Sequence, residues 1–237
     1  MSVSVSGLSI KNISISKFAH IDPYWNNVSV LLQLNGSNGS TSFPDSSDIG
    51  NTFTAAGNAS IRTSQSVFFG SSLYLDGSGD WIQSPTNLGS YSFGTNDFTV
   101  EGWFYFLRNN VILIDTGWAS VGSFQIYCTS SNKIQWWNLS NSLITSSASI
   151  SLNAWNYIAI TRQSGTLRVF IGGTLSGTVS DSTNYNDTAT TATIGAQVGS
   201  RNSTYDFYGY ISDIRITKNV ARYTATFTPP AAPFPIN

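Results

Sequence analysis

The chain has 237 residues, a formal net charge of −1 and only 10% charged residues. This balance excludes the broad basic surface on which nonspecific binding to nucleic acid or to an anionic membrane depends. Ser, Thr, Asn and Gly supply most of the polarity, and these residues favour turns over helix interiors. The composition predicts one β-rich domain with a sizeable core.

Cys128 is the only cysteine, so an intrachain disulfide is excluded, and its strand-like surroundings, SFQIYCTS, predict a buried structural side chain. The segment after Met1 lacks the basic start, long apolar centre and cleavage site of a secretory signal. No apolar run is long enough to cross a membrane. We therefore expect the chain to fold in a reducing cytoplasm, whatever its final destination.

Residues 1–27 differ from the rest of the chain, because apolar residues such as Val3, Val5 and Ile10 are set among Ser and Lys before Pro23 breaks the pattern. Two interpretations stay open. The segment is either an ordinary edge strand of the domain or an extended arm that pairs with a sheet edge in this subunit or a neighbour's.

Alternating apolar residues from Val28 predict a strand, which a loop rich in Gly and Asn follows. In SLYLDGSGDWI two leucines precede a turn at residues 76–79 and Trp81 follows it, which predicts a hairpin. The run DFTVEGWFYF at residues 97–106 alternates so cleanly that either of its sides could face a core.

The stretch from Asn153 to Gly173 holds two alternating runs joined by a polar turn at residues 163–166, which predicts an antiparallel hairpin. Both sides of the hairpin are substantially apolar, so both faces must be covered. We expect this hairpin in the interior of a layered β structure.

The last predicted strand, DFYGYISDIRITKNV, changes the parity of its apolar residues between Ile211 and Ile214. We therefore expect a bulge near Ser212 and Asp213. The tail TFTPPAAPFPIN carries four prolines, which exclude a central strand, and we expect it along the surface.

Many short strands, regular turns and the lack of a helical stripe predict an all-β fold, a two-sheet antiparallel sandwich of jelly-roll type. We divide the chain into an N-terminal extension at residues 1–27, the sandwich at residues 28–228 and a Pro-rich tail at residues 229–237.

Five segments follow one another in the order found in a known family: LYLDGSGDWI, DFTVEGWF, NAWNYIAITRQSGTLRVFIGGT, ATIGAQ and YGYISDIRITKNVARY. Together they resemble the laminin-G-like branch of the concanavalin A-like lectin/glucanase superfamily over residues 28–228. The ending NVARYTATFTPPAAPF is similar to that of such domains in bacteriophage structural and tail proteins. The resemblance implies two curved antiparallel sheets, a concave face that binds glycans in many members, and often a calcium ion near one rim.

The resemblance also covers retaining glucanases, whose Glu-x-Asp-x-x-Glu motif places two carboxylates about 5 Å apart. Glu101 is the only glutamate in the chain and no carboxylate follows it on its strand. His20, the only histidine, and Cys128 lack the partners that nucleophilic or metal chemistry needs. We expect a non-enzyme. An enzyme would need an unrecognised carboxylate pair among Asp80, Asp97 and Asp115.

Calcium is the one cofactor candidate, because it needs only oxygen ligands. The resemblance points to acidic residues in loops or near the final strand, and the candidates are Asp45, Asp76 and Asp213. Each has a structural alternative, namely a stabilised loop for Asp45, a capped turn for Asp76, and a pairing with Arg215 or a cap of the bulge for Asp213.

Sugar binding requires exposed aromatic rings beside amides and hydroxyls. The candidates are Trp103, Tyr105, Trp118, Trp136 and Trp137. Packing between the sheets is the alternative for each, and the adjacent Trp136 and Trp137 must point to opposite sides of a strand.

Three functional hypotheses follow. The first is a non-catalytic bacteriophage protein at the virion surface, which decorates the capsid or forms part of a tail appendage after synthesis in the host cytoplasm. Its partners would be other virion proteins and further copies of itself. The second is a receptor-binding adhesin that recognises host surface polysaccharide, and the third is a glycan-active enzyme. Neither nucleic-acid binding nor membrane insertion is expected.

Overall fold

The structure, a computed structural model, describes residues 21–86, 89–117, 120–138, 141–186, 191–198 and 203–237. Its strands are β1 Val28–Leu32, β2 Phe43–Pro44, β3 Thr52–Ala56, β4 Ser60–Arg62, β5 Ser72–Asp76, β6 Trp81–Gln83, β7 Phe98–Phe106, β8 Val111–Asp115, β9 Phe124–Cys128, β10 Ile134–Asn138, β11 Asn141–Thr145, β12 Trp155–Gln163, β13 Thr166–Ile171, β14 Thr174–Ser180, β15 Thr193–Ile194 and β16 Tyr208–Lys218. Short 3-10 turns lie at Trp25–Asn27, Gly89–Tyr91 and Ser203–Tyr205. The predicted all-β class is confirmed, and no helix within these ranges is long and apolar enough to span a membrane.

The first sheet has the order β14-β13-β12-β7-β16-β5-β4, and β1 pairs with the second half of β16, beyond β5. The predicted central hairpin is confirmed as β12 and β13, and both strands lie inside the sheet. Its turn is tighter than predicted, because Ser164 and Gly165 both adopt positive φ angles and connect Gln163 directly to Thr166.

The second sheet has the order β11-β10-β9-β8-β15-β6-β3-β2. The predicted hairpin around residues 76–79 was wrong, since β5 belongs to the first sheet and β6 to the second. The Asp80 carboxylate accepts the backbone N–H groups of Asp76 and Asn58, at 3.1 and 2.8 Å, so a side chain supplies contacts that a hairpin ladder would have made. The turn therefore carries the chain from one sheet to the other.

The main core fills the space between the sheets and contains a stack of aromatic rings. The Trp136 ring lies 4.3 Å from Phe124 and 5.2 Å from Phe98, with each pair nearly parallel, and Phe93 stacks 4.3 Å from Phe98. Trp136 Nε1 donates to the Tyr185 hydroxyl at 2.8 Å, which satisfies the one polar group of the indole. Cys128 is buried in the same core, as predicted.

The chain after β16, residues 219–237, includes the predicted Pro-rich tail and covers part of the outer face of the first sheet; we call it the C-terminal tail. Tyr223 and Phe227 pack against the buried Tyr157 and Phe170, and the Phe227 N–H donates to the Gly173 carbonyl at 2.9 Å. This packing explains why the outer side of β12 and β13 is apolar although it lies outside the main core.

The predicted bulge is confirmed, because the pairing of β16 with β7 shifts between Ser212 and Arg215. Asp213 occupies it with a φ of 53° and is fully buried. Its Oδ2 accepts the backbone N–H of Phe234 at 2.8 Å, so the bulge fastens the end of the tail to the sheet. The predicted N-terminal arm at residues 1–27 falls mostly outside the described residues, which begin at Ile21.

Candidate functional site

A row of four aromatic side chains crosses the part of the first sheet that the tail leaves uncovered. Tyr105 of β7 stands opposite Trp155 of β12 on one side and Tyr210 of β16 on the other, and Tyr210 stands opposite Tyr74 of β5. Tyr105, Tyr210 and Tyr74 face outward, because their chain neighbours Phe104, Ile211 and Leu73 lie in the main core. Trp155 faces outward too, because it shares a side of β12 with Tyr157, which packs in the outer cluster. We call Trp155, Tyr105, Tyr210 and Tyr74 the aromatic row.

The rings of the aromatic row are in mutual contact. Ring centroids are 5.6 Å apart for Tyr105 and Trp155, 5.8 Å for Tyr105 and Tyr210, and 4.9 Å for Tyr74 and Tyr210, with interplanar angles of 69°, 84° and 41°. Each residue is half-buried, so its packing fixes its orientation while part of the ring stays in solvent. Four strands spaced by about 4.8 Å give the row a length of about 15 Å, which suits an oligosaccharide better than a single sugar.

Polar groups border the row at the β5 end. The Ser64 hydroxyl donates to the Tyr210 hydroxyl at 3.0 Å. Asn58 Nδ2 donates at 2.9 Å to Oδ2 of Asp76, which lies two residues beyond Tyr74 on β5. Burial, assisted by the neighbouring Tyr208, raises the pKa of Tyr74 to about 12, so its hydroxyl keeps its proton at neutral pH. Hydroxyls that stay neutral can both donate and accept hydrogen bonds with a ligand.

Trp103, a predicted sugar-binding residue, lies beside the row and not in it. Phe68 from the loop between β4 and β5 meets its ring edge-on at 6.0 Å, and Tyr157 meets it at 5.1 Å. Trp103 Nε1 is buried and has no hydrogen-bond partner among the described residues, and the same is true of Trp155 Nε1 in the row, so neither of these indole donors reaches solvent. Trp103 supports the row by packing.

The other predicted aromatic residues fall in different places. Trp136 is fully buried in the core stack, so its candidacy as a sugar-binding residue is corrected. Trp137 is half-buried on the outer face of the second sheet, and Trp118 lies outside the described residues. Tyr105 is the one member of the row among the predicted sugar-binding residues, and Trp155, Tyr210 and Tyr74 were not predicted. The alternation of β12 and β16 nevertheless places Trp155 and Tyr210 on a common side with other aromatic residues.

The three calcium candidates are not brought together. Asp45 Oδ1 accepts the N–H groups of Leu31 and Ser47, Asp213 Oδ2 accepts that of Phe234, and Asp76 Oδ1 accepts that of Ser78. Within the ranges that the structure describes, no cluster of three His, Cys, Asp or Glu side chains could hold a metal ion. These aspartates act as caps of loops, turns and the bulge, which are the structural alternatives considered above.

The single glutamate belongs to a buried charge network. Glu101 Oε1 accepts from Arg215 Nε at 2.9 Å and lies 2.8 Å from Arg215 Nη2, while Oε2 accepts the Tyr157 hydroxyl. Asp22 accepts from Arg215 at 2.8 Å and from Arg222 at 2.7 Å, so two carboxylates balance two guanidinium groups beneath the tail. Hydrogen bonds from Arg222 and from the Tyr24 backbone lower the pKa of Asp22, although burial opposes them.

The aspartates considered for catalysis are also separate. Asp80 lies in the turn that connects β5 of the first sheet to β6 of the second, and burial raises its pKa. Asp97 accepts the Ser164 N–H at 2.7 Å. Asp115 is fully buried and accepts from Gly117, Gln125 and Val198. None of these three carboxylates accepts a hydrogen bond from, or donates one to, another of the three in the described part of the chain.

Comparisons with known proteins agree with this fold. A laminin G family model, described as the concanavalin A-like lectin/glucanases superfamily, matches residues 76–222. The binding domain of botulinum neurotoxin serotype D/C is 16% identical with a TM-score of 0.61, and the match covers 84% of this chain and 50% of that one. Domain 4 of the arabinanase AbnA from Geobacillus stearothermophilus, solved with arabinotriose, is 15% identical with a TM-score of 0.62. That match covers 81% of this chain and 92% of the AbnA domain.

The binding domain of botulinum neurotoxin DC, solved in complex with SialylT, is 18% identical with a TM-score of 0.62. That match covers 84% of this chain and 50% of the toxin domain. The chain thus spans about half the length of the toxin binding domains that it matches. At these identities the likeness shows a shared fold. A search of curated proteins gave no match.

Proposed function

Since the chain belongs to the concanavalin A-like lectin/glucanase superfamily, we propose that it is a glycan-binding module that holds neutral oligosaccharide chains against the aromatic row. The observation that carries this proposal is the register that places Trp155, Tyr105, Tyr210 and Tyr74 side by side on four neighbouring strands. Aromatic side chains present apolar faces, and pyranose rings have apolar faces of similar size, so a preformed row offers stacking without a large loss of entropy.

The charges around the row favour a neutral ligand. Asp76 is the acidic residue nearest to Tyr74 along β5, and its carboxylate is engaged by Asn58. The guanidinium of Arg108 donates to the backbone carbonyls of Asp206 and Gly77, at 2.5 and 3.4 Å, which holds it in the loop beyond the row. Domain 4 of AbnA, a structural neighbour, was solved with a neutral oligosaccharide, which supports the same class.

Affinity electrophoresis tests the proposal. We expect gels that contain laminarin, xyloglucan, galactomannan or dextran to retard the wild-type chain in at least one case. Trp155→Ala and Tyr105→Ala should each weaken binding by about tenfold, because a ring contact contributes about 0.5–1.5 kcal/mol beyond its buried area. Trp25→Ala is the matched control, since Trp25 is also a half-buried tryptophan but lies outside the row.

Isothermal titration with the retained polysaccharide would give the affinities, and thermal denaturation would show that each variant is folded. Mobility that is unchanged in all four gels, or equal affinity in folded Trp155→Ala and wild-type protein, would contradict the proposal.

We also propose that the module is non-catalytic. Glu101 is committed to Arg215 and Tyr157, and the remaining carboxylate candidates lie on separate elements. The purified chain should therefore release no reducing sugar from the four polysaccharides. Release that is lost in Asp80→Asn or Asp115→Asn would identify an enzyme.

A role at the surface of a phage virion is the second candidate function, and the phage-like ending at residues 219–234 favours it. Asp22 is a buried partner of Arg215 and Arg222, so the arm is best tested by deleting residues 1–20, which leaves the charge network intact. We predict that this deletion abolishes incorporation into phage particles without changing the denaturation midpoint. Normal incorporation of the shortened chain would remove the arm as the anchor.

A further inference from the structure

A second aromatic site candidate lies on the opposite side of the molecule, on the outer face of the second sheet. Trp136 of β10 points into the core, so Gln135 and Trp137 on the same strand point outward. Trp137 Nε1 donates to Gln135 Oε1 at 2.9 Å, and this bond fixes the indole against its own strand.

The amide of Gln135 continues the chain of hydrogen bonds. Gln135 Nε2 donates to Thr145 Oγ1 of β11 at 2.9 Å, and Thr145 Oγ1 lies 3.5 Å from Ser142 Oγ. Thr145 and Ser142 are exposed, whereas Trp137 and Gln135 are half-buried. A fixed ring therefore stands beside an amide and two hydroxyls in solvent, which is the combination that binds sugars through one face and two or more hydroxyl groups.

The face that carries this cluster offers no exposed charge on its described strands. Asp115 points outward from β8, but it is fully buried and bonded to Gln125 and Val198. The same face holds a second indole–amide pair, in which Trp81 Nε1 donates to Gln83 Oε1 at 3.2 Å. The side chain of Gln83 makes no hydrogen bond to a side-chain hydroxyl among the described residues, whereas that of Gln135 bonds to Thr145.

We propose that Trp137, Gln135, Thr145 and Ser142 form a second binding site for neutral glycans, and that one copy of the chain is therefore bivalent. The aromatic row and the Trp137 cluster lie on outer faces of opposite sheets, so a short oligosaccharide cannot reach both. A single molecule bridges two polysaccharide chains. The inference rests on the proposed function for the row, but the second site has its own residues and its own test.

Agglutination of beads coated with the retained polysaccharide measures bivalency. The wild-type chain, shown to be monomeric by light scattering, should agglutinate the beads. Trp137→Ala should abolish agglutination while the affinity of the row, measured by titration with a short oligosaccharide of the same polysaccharide, changes less than twofold. Trp81→Ala is the matched control, since it removes the same kind of indole–amide pair on the same face and should agglutinate normally.

Each outcome separates the two proposals. Retention of wild-type protein in the gels without agglutination would overturn the second site and leave the row intact. Agglutination by Trp137→Ala would also overturn it. A loss of agglutination in Trp81→Ala that Trp137→Ala does not show would overturn it as well. A folded Trp155→Ala variant that still binds through the Trp137 cluster, but agglutinates the beads only at a higher protein concentration than wild type, is the result expected if both sites exist.

Discussion

The buried carboxyl group of Asp213 makes stability depend on pH in a direction opposite to that of most carboxylates. Burial raises its pKa to about 7 from the ordinary value of 3.8, and the Phe234 N–H and Arg215 offset only part of that effect. The unfolded chain therefore releases the proton near pH 4, whereas the folded chain holds it to about pH 7. Stability from this group is full below pH 4 and falls as the pH rises to about 7.

The size of the effect follows from the gap of about three pH units, which at about 1.36 kcal/mol each corresponds to a loss of about 4 kcal/mol between pH 4 and pH 7.5. Asp213→Asn keeps an oxygen that can accept the Phe234 N–H, and Asn tolerates the positive φ of 53°. The variant should therefore lose the slope, and its free energy of unfolding should exceed that of wild type by up to about 4 kcal/mol at pH 7.5.

Urea denaturation at half-unit steps from pH 4.5 to pH 8 measures both curves. The difference between wild type and Asp213→Asn cancels contributions from groups common to the two proteins, and Asp48→Asn, at an exposed carboxylate, controls for the loss of one negative charge. Asp22 affects the free energy of unfolding in a lower pH range. Because its pKa is lowered in the folded chain, its contribution to stability falls only as the pH drops through and below 3.8. Parallel curves for wild type and Asp213→Asn between pH 4.5 and pH 7.5 would refute the reasoning.

Two further substitutions test the parts of the fold that support the row. Glu101→Gln should destabilise the chain by about 3–5 kcal/mol in urea denaturation, because it leaves the buried Arg215 and Arg222 with Asp22 as their one remaining carboxylate in the network. A loss below about 1 kcal/mol would show that the network contributes little. Gly209→Ala should destabilise the chain and weaken binding at the row, because the added Cβ would lie 2.0 Å from the Tyr105 carbonyl oxygen. Gly70→Ala is the control and should leave binding unchanged, because its added Cβ would have no atom within 4 Å. Equal affinities for the two variants would contradict the role given to β16.

Local features of the fold were predictable from the sequence. The β12–β13 hairpin connects neighbouring segments through a short turn. The bulge at Asp213 is predicted by the change in alternation between Ile211 and Ile214. The turn at residues 76–79 has the same local signature as a hairpin turn, yet its two strands join different sheets. Alternation cannot distinguish these cases, because it reports which side of a strand is buried and not which strand is its partner.

The candidate site was predictable only in part for the same reason. Tyr105 stands out on its own strand, but the aromatic row runs across β12, β7, β16 and β5 and exists only through their register. Parity requires one of Trp136 and Trp137 to face the core, and the sequence does not say which one. The charge network likewise joins Asp22 to residues 215 and 222, a separation that no local pattern reveals.

The strands β7 and β16 are neighbours at the centre of the first sheet although they are far apart in the sequence. Phe106 pairs with Gly209, so the strand that completes the middle of this sheet is synthesised about a hundred residues after its neighbour. Contacts of such sequence separation must overcome a large loop-closure entropy and slow the formation of β structure. We therefore expect the aromatic row, which needs β16 between β7 and β5, to form late in folding.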